Sequence, residues 1–380
     1  MTRLQGLEES IFSSMSALAR KHGAIDLGQG FPDFDPPPLM VEAASAAMRE
    51  GLNQYAPSIG LPELRAAAAR HAQRHYGLDC DPESEVTVTA GATEAIWCAA
   101  LALLAPGDEA VIIEPFYELY PACVTAAGAT ARFVPTSFPD FQVDPDRLRA
   151  AFGPRTRLVV LNTPGNPSGV VLDERTLRLV GELAREHDAT ILSDETYEHI
   201  LLGGARHVPA AIATGAPERT VTVRSISKTF SATGWRIGWS VAPPELTRAI
   251  RRVHQNTVFA APTPLQAAAA TMLDAAADDG FYERLAADYT ARRDLLVGLL
   301  GAAGMEAASP DGAYFLMVRV EGDDVDYCHR LISGAGVGAI PASHFFEDRG
   351  AARGLVRFAF CKRAETLRQA GERLVAASSS

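Results

Sequence analysis

From about residue 62 the sequence alternates between helical stretches and short, apolar, β-branched runs, a rhythm that leaves few architectures open. Residues 62–76 read as a helix with proline at an opening position. Residues 86–90 (VTVTA) read as a strand, followed by Gly91-Ala92-Thr93 and an apolar helix to about residue 105. Residues 110–113, 158–162, 190–193 and 220–223 read as further strands, with a helix expected over about 173–187. Strands alternating with helices predict an α/β fold, a mostly parallel sheet covered by helices. The last hundred residues differ: a long helix over about 281–300, strands near 314–318 and 356–360, and a closing helix from about Ala364. These predict a smaller α+β domain. The first forty residues hold a short helix around 11–20 and the run Pro36-Pro37-Pro38, too little to fold alone. The expected division is therefore residues 1–40 packing on the small domain, 41–280 as a large domain and 281–380 as the small one.

Charge and hydropathy exclude several function classes. The 35 Lys+Arg against 46 Asp+Glu give a net charge of −11. That balance disfavours nucleic acid and anionic membrane surfaces as partners. The longest apolar run, residues 95–105, stops at Pro106 and falls short of the ~20 residues that span a bilayer. The N-terminal MTRLQGLEES has no hydrophobic signal core, so a cytoplasmic protein is expected. The spacing of Cys80, Cys98, Cys123, Cys328 and Cys361 indicates neither a disulfide framework nor a zinc site, and no metal is expected.

Four stretches carry groups with chemistry. They are 162–169 (NTPGNPSG), 193–197 (SDETY), 225–236 (SISKTFSATGWR) and Arg357 inside the apolar 356–358. Each alone has a plainer reading: a turn, a helix cap at Asp194, a solvated lysine, and a structural salt bridge at Arg357. Together they are stronger, because the first three end strands of a parallel sheet, where open α/β sheets bind ligands. An amide, a carboxylate, a phenol, an amine and two guanidiniums are the groups that pyridoxal phosphate (PLP) chemistry asks for.

These motifs resemble those of fold-type I, class I PLP-dependent aminotransferases. They are joined by 27–33 (LGQGFPD), 53–55 (NQY), 114–117 (EPFY), 254–256 (HQN) and 356–363 (VRFAFCKR), in the same order over nearly the whole chain. The sequence is most similar to the branch with kynurenine aminotransferase (glutamine transaminase K), bacterial methionine aminotransferase and a proposed actinobacterial N-succinyldiaminopimelate aminotransferase. The resemblance implies that Lys228 forms the Schiff base and shuttles protons, that Asp194 pairs with the pyridine nitrogen, and that Tyr197 and Asn166 bond the phenolic oxygen. It implies a phosphate cradle of Ser225, Arg236 and the backbone N–H groups of Ala92 and Thr93, with Tyr117 stacked on the ring. Arg357 would clamp the substrate α-carboxylate beside Gly30 and Asn166. Tyr55 would reach the phosphate of the other subunit of a homodimer. Phe12, Tyr117 and Phe259 suggest an apolar side-chain pocket. Substrates would be an L-α-amino acid and a 2-oxo acid, with apolar, sulfur-containing, glutamine or aromatic donors favoured. N-succinyldiaminopimelate or another biosynthetic substrate, and a cysteine-conjugate carbon–sulfur β-lyase reaction, stay open. Gly165, Thr93, Phe12 and Ala260-Ala261 depart from relatives, and all lie toward the substrate rather than the cofactor. A ligand-sensing regulator is disfavoured, because no spare basic DNA-binding segment flanks the fold.

Overall fold

The computed structural model describes residues 9–378. The chain enters through α1 (Ile11–His22) and the two-residue strand β1 (Ile25–Asp26), then α2 (Pro38–Arg49) and α3 (Pro62–Tyr76). The run Pro36-Pro37-Pro38 looks like a breaker, yet Pro38 opens α2 at a position where its missing N–H costs nothing.

A central sheet follows, built from β2 (Val86–Thr89), β3 (Glu109–Ile113), β4 (Thr130–Val134), β5 (Thr156–Asn162), β6 (Thr190–Asp194), β7 (Thr220–Ser225) and β8 (Gly238–Val241). Their order is β2-β8-β7-β6-β5-β3-β4. From β7 to β4 every neighbouring pair is parallel. The buried Val, Ile and Leu runs of β3, β5 and β6 reflect helices on both faces. Strand β8 runs antiparallel to both β7 and β2. The segment 226–237, which carries Lys228, connects β7 to β8. Helix α4 (Gly91–Leu103) lies between β2 and β3, and α5 (Leu119–Ala127) between β3 and β4.

Beyond the helix Phe281–Ala302 come β9 (Glu306–Ala307), β10 (Phe315–Arg319), β11 (Val337–Gly338), β12 (Ile340–Pro341) and β13 (Leu355–Ala359). Four of these form an antiparallel sheet ordered β12-β13-β10-β9, while β1 pairs in parallel with β11. Ile11, Met15 and Leu27 from the start of the chain share one apolar cluster with Tyr197 and with Phe315, Val356 and Phe358. This cluster fastens β13, and so Arg357, against the segment that follows β6. No helix among the described residues is long and apolar enough to cross a membrane.

Candidate active site

The C-terminal ends of β5, β6 and β7 open into a cavity of about 330 Å³. Its wall includes Phe12, Gly30, Ala92, Thr93, Tyr117, Asn166, Asp194, Tyr197, Ser225, Lys228, Arg236 and Arg357. Twelve residues singled out from the sequence thus meet in one place, from positions 12 to 357. Tyr55 and Phe259 do not line this cavity. They are 85% and 46% exposed, and their rings meet edge-on at 5.4 Å.

Asp194 closes β6 and is buried. Its Oδ2 accepts a hydrogen bond from Tyr120 Oη at 2.9 Å, and its Oδ1 accepts from the Thr196 N–H at 3.1 Å. A turn, not a helix, follows, so the helix-cap reading of Asp194 fails. Burial raises its pKa, opposed by the Tyr120 and Thr196 hydrogen bonds. The same segment is pinned by an ion network in which Arg224 Nη2 reaches Glu195 Oε2 at 2.8 Å and Arg224 Nε reaches Glu198 Oε2 at 2.6 Å. Burial by itself would raise Glu195, but Arg224 and His207 outweigh it and hold the carboxyl at about 2.

Lys228 sits on the short helix Ile226–Thr229 after β7, where the Ser225 side chain caps the Ser227 N–H at 2.9 Å. Its Nζ lies 3.5 Å from the Gly30 carbonyl and 5.8 Å from the ring centres of Tyr197 and Tyr314. Burial pushes its pKa down to about 8. The chain has three lysines, Lys21, Lys228 and Lys362, and of these only Lys228 lines the cavity.

Across the cavity, α4 begins at Gly91 with φ +78°, and a Cβ there would lie 2.6 Å from Arg236 Nη2. Arg236 also reaches Thr93 Oγ1 at 3.3 Å. The positive end of α4 and a guanidinium therefore face the same space, a ready anion site. Gly238 allows this closeness: a Cβ on it would stand 2.7 Å from the Ala92 nitrogen.

Arg357 is 1% exposed on β13, an interior strand of its sheet, which removes the edge-charge reading. Its Nη1 donates to Asn166 Oδ1 at 2.7 Å and its Nη2 to the Gly28 carbonyl at 2.6 Å, while Nε has no partner. No carboxylate among the described residues forms an ion pair with it, so it is not a structural salt bridge. Burial lowers its pKa to about 10. Asn166 is itself held by Asn162, whose Oδ1 accepts from the Asn166 N–H at 2.6 Å and whose Nδ2 donates to the Asp194 carbonyl at 3.0 Å.

Sequence reasoning missed Tyr120, Ser227 and Phe315, which also line the cavity. Tyr120 lies three residues after Tyr117, in the first turn of α5, and the two rings meet edge-on at 5.9 Å. The buried Ser227 hydroxyl has no partner, and Phe315 meets the Arg357 guanidinium at 4.1 Å.

The family model for class I and II aminotransferases matches residues 22–374. The chain belongs to that family. A probable N-succinyldiaminopimelate aminotransferase DapC of Mycobacterium tuberculosis is 42% identical, over 98% of this chain and 97% of the relative. The methionine aminotransferase of Escherichia coli is 40% identical, over 98% and 97%. The solved N-succinyldiaminopimelate aminotransferase from M. tuberculosis superposes with a TM-score of 0.95 at 42% identity, covering 99% of both chains. The aminotransferase described here is accordingly a PLP-dependent enzyme of fold type I.

Proposed function

We propose that this aminotransferase transfers the amino group of an L-α-amino acid with an apolar, sulfur-containing, glutamine or aromatic side chain to a 2-oxo acid, in the ping-pong manner. The observation that carries this reading is the meeting of an amine, a buried carboxyl and a buried guanidinium without a carboxylate partner around one cavity. The residues suit PLP. Asp194 is a buried acid lacking a cationic partner, the Ser227 hydroxyl is unsatisfied, and Arg236 faces the open end of α4. When bound, PLP supplies an aldehyde that condenses with an amine and a ring that stores the electron pair left as Cα loses its proton.

The remaining work falls to the chain. Asp194, steadied by Tyr120, keeps the ring nitrogen protonated. Ser225, Arg236 and the N–H groups of Ala92 and Thr93 hold the phosphate. Tyr117 covers one ring face, while Tyr197 and Asn166 donate to the phenolic oxygen. Arg357 takes the α-carboxylate beside Gly30 in two parallel bonds, a geometry its planar fork favours. That clamp aims Cα at Lys228 Nζ, which removes the proton as a base and returns it one atom along as an acid. Tyr55, exposed with Phe259, reaches the phosphate of a second copy in a homodimer. Phe259 is held at φ +70°, a strained value for a bulky residue, which supports a loop shaped for an interface. The division into an N-terminal segment to about residue 40, a cofactor-holding unit to 280 and a smaller unit beyond belongs to the same proposal.

The donor assignment rests on the wall beyond Arg357, where Phe12, Tyr117 and Phe315 gather. The cations lining the cavity are Lys228, Arg236 and Arg357, each with a role already, so a side-chain carboxylate finds no spare cation in this chain's wall. Similarity to the DapC relative favours the second reading, N-succinyldiaminopimelate. A panel of amino donors against several 2-oxo acids decides between them. Methionine, glutamine or aromatic donors are expected to show the highest kcat/KM. A clear preference for N-succinyldiaminopimelate would replace the first reading with the second.

A further inference from the structure

Behind the catalytic cavity, α3 carries His71 and His75 four residues apart, so both project from one helical side. The segment after β6 brings Glu198 and His199 against them. His71 Nε2 and His199 Nε2 stand 2.7 Å apart, and Glu198 Oε1 lies 3.9 Å from the first and 3.8 Å from the second. The point equidistant from three atoms at these spacings is about 2.1 Å from each, the length of zinc bonds to imidazole nitrogen and carboxylate oxygen.

Further observations point to a cation. His71 Nδ1 and His75 Nε2 are buried without hydrogen-bond partners, so two more imidazole nitrogens in this cluster are unsatisfied. Access exists as well, because His75, His199 and Tyr282 line a surface groove.

We propose that His71, His199 and Glu198 bind one divalent transition-metal ion of the zinc type, with His75 or a water from the groove as fourth ligand. Two imidazoles and one carboxylate select zinc, cobalt, nickel or copper over magnesium and calcium. Tetrahedral binding needs the two rings to part by about half an ångström, replacing their mutual hydrogen bond with metal bonds. The ion would tie α3 to the segment that begins at Asp194. Since His199 stacks on Tyr282 at 3.8 Å, the clamp would extend to the helix Phe281–Ala302. Its effect is stabilisation of the folded enzyme, separate from transamination.

The test uses untagged holoenzyme, freed of metal by a chelator and titrated with cobalt(II). One equivalent per chain is expected, with ligand-field bands in the visible that zinc(II) abolishes, and zinc should raise Tm. His71→Gln should weaken binding by about tenfold or more and remove the bands, while cofactor absorbance and turnover persist. Crystals of the unmodified enzyme soaked in zinc should show an anomalous peak among the three side chains, a readout that needs no variant. Binding unchanged in His71→Gln, or no stoichiometric cobalt and no anomalous peak there, would overturn the site and leave a purely structural histidine cluster.

Discussion

At the scale of single residues, the site depends on groups that burial holds away from their ordinary behaviour. Lys228 shows this most plainly. Its amine has an ordinary pKa of 10.5 and is held near 8 by burial. Below about 8 the folded chain must carry that charge out of water, which penalises folding. The penalty fades as pH rises from about 8 to 10.5, where the amine is neutral in both states. In cofactor-free enzyme Lys228→Met should therefore raise Tm near neutral pH, with the gain gone above about 10.5. A gain independent of pH would contradict the buried-amine account. Arg357 has no carboxylate partner among the described residues; if it takes the substrate α-carboxylate as proposed, Arg357→Ala should raise KM and lower kcat for every donor. Losing such a desolvated pair is worth ~2–5 kcal/mol. Loss confined to one donor would make it a side-chain reader instead. Tyr120→Phe removes the hydrogen bond at 2.9 Å to Asp194 and should cost ~1.5–3 kcal/mol in the chemical step. It should also move the acid limb of the kcat profile to higher pH, because that bond favours the ionised carboxyl. Lys228, Asp194 and Arg357 were legible because their motifs stand out in sequence. Tyr120 and Ser227 were not, since a tyrosine in an apolar helix and a serine among serines are ordinary until their neighbours are known.

Among elements, strands of the parallel sheet were legible to within a few residues, because runs such as LVVLN and TILS are buried on both faces. What escaped was direction and edge. Strand β4 has an exposed, mixed pattern that carries little apolar signal, and β8 is four residues long and follows a loop. The antiparallel turn of β8 has a consequence for chemistry, since Gly238 at its start lets α4 press against the sheet. Gly238→Ala would place a methyl 2.7 Å from the Ala92 backbone nitrogen, which cannot swing away as a side chain can. Overpacking of this kind costs ~1–3 kcal/mol. Both Tm and PLP affinity should fall, as measured by thermal unfolding and cofactor titration. Normal PLP affinity in that variant would show that the start of α4 does not hold the phosphate.

For the whole molecule, the proposed assembly is what completes the site. The sequence motif at 53–55 pointed to a shared site, and the structure leaves Tyr55 outside its own cavity, its ring exposed against Phe259. Local packing beneath α3 would have buried it. If sites are shared, mixing inactive Tyr55→Ala with inactive Lys228→Ala should restore part of the activity, because one site of each mixed dimer has both residues intact. No recovery after proven subunit exchange would make each site self-contained. The central claim, that Lys228 carries the cofactor, can be read directly because the chain has three lysines. Borohydride reduction of the holoenzyme, proteolysis and mass spectrometry should place the phosphopyridoxyl group on the peptide containing Lys228 and on neither other. Finding it on Lys21 or Lys362, or finding no covalent label, would contradict the account.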